Sequence, residues 1–243
     1  MKTLLILGAT SDIGIAIAKK FASEQFTIQL AARNIDQLKT IQSDLNIRYN
    51  AQCSLHQFDA IKFDSHESFY KGLSIKPDVV VYVVGYMNDN EIAISNWNES
   101  LNTINANYTG AVSILNIIAA DFMNKRSGTI IGISSVAGNR GRQSNYIYGS
   151  AKAGFTAYLS GLRNKLYPYQ VHVVTVLPGF VYTKMTEHLT LPKMLTARPE
   201  QVANAIYNAA TKKKNVVYVK WFWRWIMKII SSIPEPVFKK KKL

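Results

Sequence analysis

Seven short apolar runs, separated by stretches long enough to form helices, constrain the fold of this chain more than any other feature. Each run is a nearly continuous series of Val, Ile, Leu and small residues, without strict alternation with polar ones. Strands of this kind are typical of a parallel sheet covered by helices on both faces. The sequence therefore predicts a doubly wound α/β fold. The predicted strands are TLLIL, FTIQLAA, QCSLHQF, DVVVYVV, GTIIGIS, VHVVTVL and NVVYVK.

Length and cysteine content narrow the class further. At 243 residues and 48% hydrophobic, the chain can bury the core of one domain. The single cysteine, Cys53, permits no internal disulfide, so the cytoplasm is the expected compartment. The apolar run near the N-terminus is too short for a signal peptide. We expect a nucleotide-binding catalytic domain over residues 1–219 and an aromatic, basic, amphipathic tail over residues 220–243.

The positive charge is concentrated near the C-terminus. The formal net charge is +14, and residues 212–243 contain ten lysines and arginines against one glutamate. The basicity therefore belongs to a tail, which indicates a local anionic partner. A membrane surface and nucleic acid are the two candidates.

The segment GATSDIG follows the first strand and opens the first helix. Backbone N–H groups and the positive end of the helix dipole favour a dinucleotide's phosphates at such a position. Gly8 supplies a tight turn and Gly14 a close approach of helix to sheet, whereas Asp12 either caps the helix or opposes a phosphate. The alternative is an ordinary capped turn. The predicted contacts are Gly8, Thr10, Ser11, Asp12, Ile13 and Gly14 of this Rossmann-like unit.

The second strand ends in LAARN, without the carboxylate that grips an adenosine ribose in NAD-specific folds. Arg33, followed by Asn34, suits a 2′-phosphate instead, which favours NADP(H) over NAD. A solvated arginine is the alternative. Asp59, after the third strand, either accepts a hydrogen bond from the adenine amino group or caps a turn.

Ser135 ends the fifth strand, and YGSAK places Tyr148 four residues before Lys152. Residues at i and i+4 share one face of a helix, so the phenol and the ammonium can converge. A neighbouring ammonium and a cationic nicotinamide should favour the phenolate and bring the proton of Tyr148 into a useful range. Ser135 is expected to hydrogen-bond the substrate oxygen as charge develops on it.

These residues resemble the classical short-chain dehydrogenase/reductase family over roughly residues 3–219. The resemblance implies a carbonyl reductase with Ser135, Tyr148 and Lys152 as catalytic residues, and leaves Ser134 a structural role. Asn107 in INANYTG is similar to the family asparagine that helps hold a water for proton relay. The resemblance further implies that Lys152 binds the nicotinamide ribose and that Asp59 takes the adenine contact. The segment LPGFVYT resembles the nicotinamide-contacting loop, with Pro178, Gly179 and Thr183.

Two departures from the family pattern stand out. Asp12 replaces the middle glycine of TGxxxGxG, which puts the details of pyrophosphate contact in doubt. The usual NNAG is YVVG, in which only Gly85 matches. The four histidines (His56, His66, His172 and His188) lack metal-ligand spacing, so no metal site is predicted.

Residues 220–230 form a predicted helix with one basic stripe, Lys220, Arg224 and Lys228, on an otherwise apolar surface. The apolar run reaches only Ile233 and is shorter than the ~20 residues that span a bilayer. We expect the helix to lie in the interface of an anionic membrane, with lysines 239–242 adding attraction. Packing on the body or on a twin subunit is the main alternative. Nucleic-acid binding is disfavoured because the apolar surface exceeds what base stacking needs.

A reductase at a membrane implies a substrate that resides there. The tail and the core together resemble a branch that reduces a 2-keto sugar attached to a polyprenyl phosphate. We therefore expect an NADP(H)-dependent reductase of a lipid-linked keto sugar, peripheral on the inner face of a membrane, and by family resemblance a homodimer or homotetramer. A reductase of 3-ketoacyl or other long-chain lipid carbonyls, and a non-catalytic nucleotide-responsive protein that binds a membrane or a partner, are the alternatives.

Overall fold

A computed structural model describes residues 1–187 and 190–241, and it confirms the doubly wound fold. Seven parallel strands form one sheet in the order β3-β2-β1-β4-β5-β6-β7. All seven predicted apolar runs are strands. His188 and Lys242, named above, lie outside the described residues. The strands are β1 Thr3–Leu7, β2 Thr27–Ala32, β3 Cys53–Gln57, β4 Val79–Tyr82, β5 Thr129–Ile133, β6 His172–Pro178 and β7 Val216–Val219.

Helices fill the connections between the strands, as right-handed crossovers in parallel sheets require. A single π-helical turn over residues 105–109 joins α5 to α6. The helices are α1 Asp12–Ser23, α2 Asp36–Tyr49, α3 His66–Lys71, α4 Asn90–Ser95, α5 Trp97–Ile104, α6 Gly110–Lys125, α7 Tyr146–Leu166, α8 Pro199–Thr211, α9 Trp223–Ser232 and α10 Glu235–Phe238.

Each face of the sheet has its own core. Leu4 and Ile6 of β1 pack toward α1, α2 and α8, whereas Leu5 and Leu7 pack toward α3, α6 and α7. Successive strand residues point to opposite faces, so a central strand covered on both sides must be apolar throughout. The continuous apolar runs in the sequence have this cause.

The strand order creates a crevice beside β1. The chain proceeds from β1 through β2 to β3 in one direction and returns to place β4 on the other side of β1. Crossovers therefore leave the carboxyl ends of β1 and β4 in opposite directions. In open α/β sheets, ligands bind at such a switch point.

The C-terminal segment adds two short helices to the body. The strand β7 pairs with β6, and α9 follows it after a turn at Lys220. Among the residues that the structure describes, no helix is both long enough and apolar enough to cross a bilayer.

Candidate active site

A cavity opens where the carboxyl ends of β1, β4, β5 and β6 meet, and we call it the strand-end cavity. Most of the predicted site residues line it, including Ser135, Tyr148 and Lys152. Its wall combines the loop after β1, the segment after β4, the end of β5, the start of α7, the loop after β6 and one residue of α9. The predicted residues in the lining are Thr10, Ser11, Asp12, Ile13, Gly85, Ser135, Tyr148, Lys152, Pro178, Gly179 and Thr183.

The loop after β1 is tightly packed. Gly8 has φ +98°, and a Cβ there would lie 2.8 Å from the backbone nitrogen of Val84. A Cβ on Gly14 would lie 2.8 Å from the carbonyl oxygen of Gly8. Both glycines therefore allow the close approach that the sequence predicted, and the N-terminus of α1 faces the cavity as an anion site requires.

Ser11, not Asp12, caps α1. The Ser11 Oγ accepts a hydrogen bond from the Gly14 N–H at 3.1 Å and donates one to the Gly8 carbonyl at 2.9 Å. The Asp12 carboxylate instead accepts a hydrogen bond at 2.8 Å from the backbone N–H of Lys184. Asp12 thus ties the loop after β1 to the loop after β6, a contact between residues far apart in the sequence.

Arg33, Asn34 and Asp59 lie at the ends of β2 and β3, beside the strand-end cavity and not in its lining. Arg33 is exposed and makes no ion pair within the described part of the chain. The Asn34 Oδ1 accepts a hydrogen bond from the Asp36 N–H at 2.9 Å and so starts α2. The Asp59 Oδ1 accepts one from the Ile61 N–H at 3.2 Å. Arg33 therefore has a free guanidinium, while the side chains of the other two already serve local turns.

The two serines at the end of β5 have different environments. Ser134 is buried, and its hydroxyl bonds the Lys152 carbonyl at 2.9 Å and the Thr156 hydroxyl at 2.7 Å. Ser135 lines the cavity, and its Oγ accepts a hydrogen bond from the Ala137 N–H at 3.1 Å. Ser134 therefore holds β5 against α7, and Ser135 is the serine that a substrate can reach.

Tyr148 and Lys152 lie in the first two turns of α7. The Lys152 Nζ lies 5.7 Å from the centre of the Tyr148 ring and donates a hydrogen bond to the Ile133 carbonyl at 3.1 Å. Lys152 is only 3% exposed, so its ammonium has little water to stabilise it. The two side chains share one face of the helix, as the four-residue spacing predicts.

Burial moves the two pKa values in opposite directions. It raises the pKa of Tyr148 to about 12, although a hydrogen bond with the Ser135 side chain acts to lower it. Burial also lowers the pKa of Lys152 to about 7. The expectation that the ammonium would favour the phenolate is not met by the protein groups alone, because loss of hydration outweighs their attraction. Tyr148 is thus held as a neutral phenol, the form that donates a proton.

Asn107 occupies the π-helical turn between α5 and α6 and is fully buried. Its Nδ2 donates hydrogen bonds to the carbonyls of Tyr86 at 2.5 Å and Thr103 at 2.8 Å, and its Oδ1 accepts one from the Tyr86 N–H at 3.3 Å. These bonds hold the segment after β4, where Gly85 lies against the cavity. Both N–H donors of the Asn107 amide are therefore used, while its Oδ1 keeps a second lone pair. A π-turn inside a helix is frequent at functional sites.

Comparison with known proteins identifies the family. The family model described as short chain dehydrogenase matches residues 2–193. An uncharacterized oxidoreductase of Mycobacterium tuberculosis is 32% identical over 240 residues, which cover 98% of this chain and 96% of that protein. The chain is a member of the short-chain dehydrogenase family. It is accordingly an oxidoreductase, as the motif set predicts.

Two further similarities bear on this short-chain dehydrogenase. A ketoacyl reductase of Nostoc, HetN, is 28% identical over 231 residues, which cover 90% of this chain and 78% of that protein. A short-chain dehydrogenase from Sphingobium yanoikuyae, solved in complex with NADPH, superposes with a TM-score of 0.83 at 21% identity and covers 97% of both chains. The structural likeness supports the fold.

The loop after β6 is packed against the C-terminal helix. A Cβ on Gly179 would lie 2.0 Å from the Trp223 ring carbon Cε2, so only glycine admits this indole. The Trp223 Nε1 donates a hydrogen bond to the Leu195 carbonyl at 3.1 Å. Thr183, further along the loop, starts a short 3₁₀ turn that it shares with Thr186. Trp223 of this short-chain dehydrogenase thus fixes the backbone of the predicted nicotinamide-contacting loop.

The helix α9 packs one face on the body and leaves another exposed. Trp223 and Met227 are 4% and 1% exposed, and we call them the buried pair. Trp221, Trp225 and Ile229 are 74%, 54% and 68% exposed, and we call them the exposed apolar stripe. Packing on the chain's own body is the alternative to membrane docking. It accounts for the buried pair and does not account for the exposed apolar stripe.

The prediction that Lys220 belongs to the basic stripe of the helix is wrong. Lys220 has φ +59° and precedes α9, and its Nζ donates a hydrogen bond to the Met194 carbonyl at 2.6 Å. Only Arg224 and Lys228 lie on the helix, and both are exposed. Helical periodicity could not reveal that the chain must turn after β7 before it can pack back on the cavity.

Sequence reasoning missed several residues of the cavity region, and four of them bear on the site. Trp223, Arg142 and Asn145 line the strand-end cavity, and Arg140 anchors α9. The Arg140 guanidinium donates to the carbonyls of Ile230, Ser231 and Ile233, pairs with Glu235 at 2.8 Å and lies 3.8 Å from the centre of the Phe238 ring. A cation over the last carbonyls stabilises a helix C-terminus. The i, i+4 spacing of Trp223 and Met227 was the one sequence signal that could have indicated a shared buried face of the helix.

Proposed function

We propose that this short-chain dehydrogenase uses NADP(H) to reduce the carbonyl group of a lipid-linked keto sugar at the inner, cytoplasmic face of a membrane. Two groups of residues support the proposal. Ser135, Tyr148 and Lys152 line the strand-end cavity and support the reaction. A single observation supports the membrane location and the substrate class. The helix α9 packs on that cavity while it exposes apolar side chains.

The described residues fit a dinucleotide. Backbone N–H groups of the loop after β1 face the cavity at the N-terminus of α1, where a pyrophosphate finds both donors and a favourable dipole. Gly8 and Gly14 leave the space that side chains would fill. Arg33 is exposed and has no carboxylate partner among the residues described, so its guanidinium is available to a 2′-phosphate. When bound, NADPH would supply the hydride for the substrate carbonyl carbon.

The residues of the chain supply the proton and orient the substrate. Tyr148 donates the phenolic proton to the carbonyl oxygen as the carbon accepts the hydride, and the product is an alcohol. Ser135 hydrogen-bonds the same oxygen, which gains negative charge in the transition state. Lys152, buried beside Tyr148, stabilises the phenolate that remains. Asn107 maintains the backbone of the segment after β4 and, through it, one wall of the cavity.

The exposed apolar stripe favours a lipid-bound substrate. Trp221, Trp225 and Ile229 lie on the segment whose buried pair contacts the cavity wall. Arg224 and Lys228 are exposed on the same helix, and lysines 239–241 are exposed just beyond it. Tryptophan and cations together are typical of helices that lie in a membrane interface. A lipid-anchored carbonyl would then reach the cavity without leaving the membrane.

Turnover tests the reaction and the substrate class. NADPH oxidation should be measured with lipid-linked keto sugars and, in parallel, with long-chain ketones and 3-ketoacyl thioesters. We expect faster turnover with the lipid-linked keto sugars. Preference for the ketoacyl substrates would favour the second candidate, to which the similarity to a ketoacyl reductase points. Absence of turnover with every class would favour a non-catalytic nucleotide-responsive protein.

Vesicle binding tests the membrane. Removing residues 220–243 would also remove Trp223 from Gly179, so the sharper variant replaces Trp221, Trp225 and Ile229 with serine in the full chain. It should lose co-sedimentation with anionic vesicles, and neutral vesicles should bind the wild-type chain weakly. Trp97→Ser, at a 68% exposed tryptophan of α5, is the matched control. Equal sedimentation of the triple variant and the wild type would contradict membrane docking.

Arg33 tests the cofactor. Arg33→Ala should weaken NADPH binding about tenfold, equivalent to ~1.4 kcal/mol, and leave NADH binding unchanged. Arg48→Ala, at an exposed arginine of α2 that pairs with Asp44, is the control. An equal loss of both cofactors would show that Arg33 does not read the 2′-phosphate.

A further inference from the structure

Arg142 is a cation of the strand-end cavity that the reaction described above does not use. It lies between β5 and α7, and it lines the cavity together with Ser135 and Tyr148. Ser135 and Tyr148 mark the part of this cavity where the carbonyl would lie. The pyrophosphate would lie at the opposite end, at the N-terminus of α1.

The half-buried Arg142 guanidinium has no anionic partner among the described residues. Its Nε is buried without a hydrogen-bond partner, and its Nη2 contacts only the Met227 sulfur, at 3.9 Å. Within residues 1–187 and 190–241, no carboxylate lies in ion-pair distance of it. Burial lowers the pKa of Arg142 from its ordinary value because the cation loses hydration. Buried cations are costly unless paired, so this one has unused capacity for an anion.

Other arginines of the chain show the contrast. Arg140, two residues earlier, pairs with Glu235, and Arg48 pairs with Asp44. The carboxylate in the lining of the strand-end cavity, Asp12, already accepts the Lys184 N–H. Arg142, unlike Arg140 and Arg48, has no carboxylate partner among the described residues.

Asn145 adds a second unmet polar group to the same wall. Its Oδ1 is buried without a hydrogen-bond partner and lines the cavity beside Arg142. A buried acceptor without a partner is destabilising, and a ligand hydroxyl would satisfy it. A cation and an acceptor in one wall match a ligand that carries an oxyanion next to a hydroxyl group.

We propose that Arg142 and Asn145 form a subsite for an oxyanionic group of the substrate, a phosphate ester or a carboxylate, beside the carbonyl that is reduced. The guanidinium fork binds two oxygens of the anion, and the amide oxygen accepts a hydrogen bond from a neighbouring hydroxyl. This inference deepens the proposed function and rests on it for the location of the carbonyl. The phosphate of a lipid-linked sugar and the carboxylate of a keto acid are the two sources of such a group.

Equilibrium binding to the NADPH-saturated full chain tests the subsite. Hexyl phosphate, heptanoate and 1-hexanol share an apolar chain and differ in the head group, and calorimetry gives the affinity of each. We expect at least one of the anions to bind about tenfold or more tightly than hexanol. Arg142→Gln should abolish that preference, and Arg48→Gln should retain it. Preference for hexyl phosphate indicates a phosphate ester, and preference for heptanoate indicates a carboxylate.

Two results would overturn the subsite. One is a wild-type chain that binds hexanol as tightly as both anions. The other is an Arg142→Gln variant that keeps the anion preference. If Arg142→Gln does not fold, Arg142→Lys decides the matter, since it keeps the charge without the fork and should weaken anion binding severalfold. Binding requires no turnover, so a confirmed subsite with an inactive substrate series would refute the proposed reaction alone.

Discussion

The two regions that meet at the strand-end cavity have their structures for different reasons. Residues 134–152 follow a buried strand and open a long helix, and their side chains reach the cavity through local geometry. The C-terminal segment 220–241 reaches the same cavity through contacts distant in sequence, such as Trp223 on Gly179 and Arg140 on the end of α9. The first region contains the residues proposed for catalysis, and the second one completes the wall of the cavity.

The difference shows where sequence patterns carry information. Ser135, Tyr148 and Lys152 are recognisable because their spacing alone brings them together. Trp223 and Trp225 are two residues apart on one helix, yet the first is 4% exposed and the second 54%. Both residues are tryptophans, and only the packing of α9 makes their exposure differ. Four experiments break or sharpen this contrast, from the largest expected effect to the smallest.

Replacing Tyr148 should damage the chemistry and spare the structure. Tyr148→Phe removes the proton donor, and general acid catalysis is worth about 10²–10⁴-fold, so kcat should fall by about 10³-fold or more. Fluorescence titration should show NADPH binding within about threefold of wild type. Retained turnover would contradict the role of Tyr148, and lost NADPH binding would indicate a structural role.

Lys152 should make stability depend on pH. Its folded pKa of about 7 lies below the ordinary value of 10.5, so between these values the unfolded chain binds a proton that the folded chain does not. The free energy of unfolding of the wild type should therefore rise with pH across this window. Below about pH 7 Lys152 is protonated in both states, and the free energy of unfolding stays at its lower value. Lys152→Met should be more stable than wild type near pH 7, by several kcal/mol at about 1.4 per pKa unit, with the advantage fading toward pH 10.5.

Urea unfolding of both chains without cofactor, at pH values from 6 to about 10, measures this difference. Lys193→Met, at an exposed lysine, is the control and should show no such trend. A difference between Lys152→Met and wild type that stays constant with pH would mean that Lys152 keeps its proton in the folded chain.

The contact between Gly179 and Trp223 joins the two regions. Trp223→Ala should cost about 3–5 kcal/mol, and Gly179→Ala should cost about 1–3 kcal/mol because its Cβ would overlap the indole. The double variant should cost less than the sum, since alanine at residue 223 leaves room for the new methyl group. Chemical denaturation measures all three. Strictly additive losses would show that the contact does not couple the loop to the helix.

Trp225 is the matched test on the same helix. Trp225→Ser removes an exposed side chain, so the free energy of unfolding should change by no more than about 0.5 kcal/mol. Trp223→Ala should therefore change the free energy of unfolding at least about sixfold more than Trp225→Ser, which separates packing from surface composition. A loss comparable to that of Trp223→Ala would place Trp225 in an interface, for instance between two copies of the chain.

Much of the fold and part of the site could be predicted because they depend on local pattern. Continuous apolar runs predicted all seven strands, and the turn glycines Gly8 and Gly14 were recognisable beside them. The role of Asp12 was not, since its carboxylate bonds the N–H of Lys184, 172 residues away. The directions in which the pKa values of Tyr148 and Lys152 shift could not be predicted either. The sequence gives the spacing of the two groups, but it does not give how far burial removes water from each of them.

The sequence by itself determined the doubly wound sheet, the family and the residues proposed for catalysis, because periodicity and short spacings encode local geometry. Only the tertiary structure decided which face of α9 is buried, that Lys220 lies outside that helix, and that Arg142 lines the cavity without a carboxylate partner among the described residues. Those outcomes depend on which surfaces meet when the sheet closes. The burial of a side chain and the groups that it contacts are properties of the folded molecule, and they cannot be read from any single segment of the sequence.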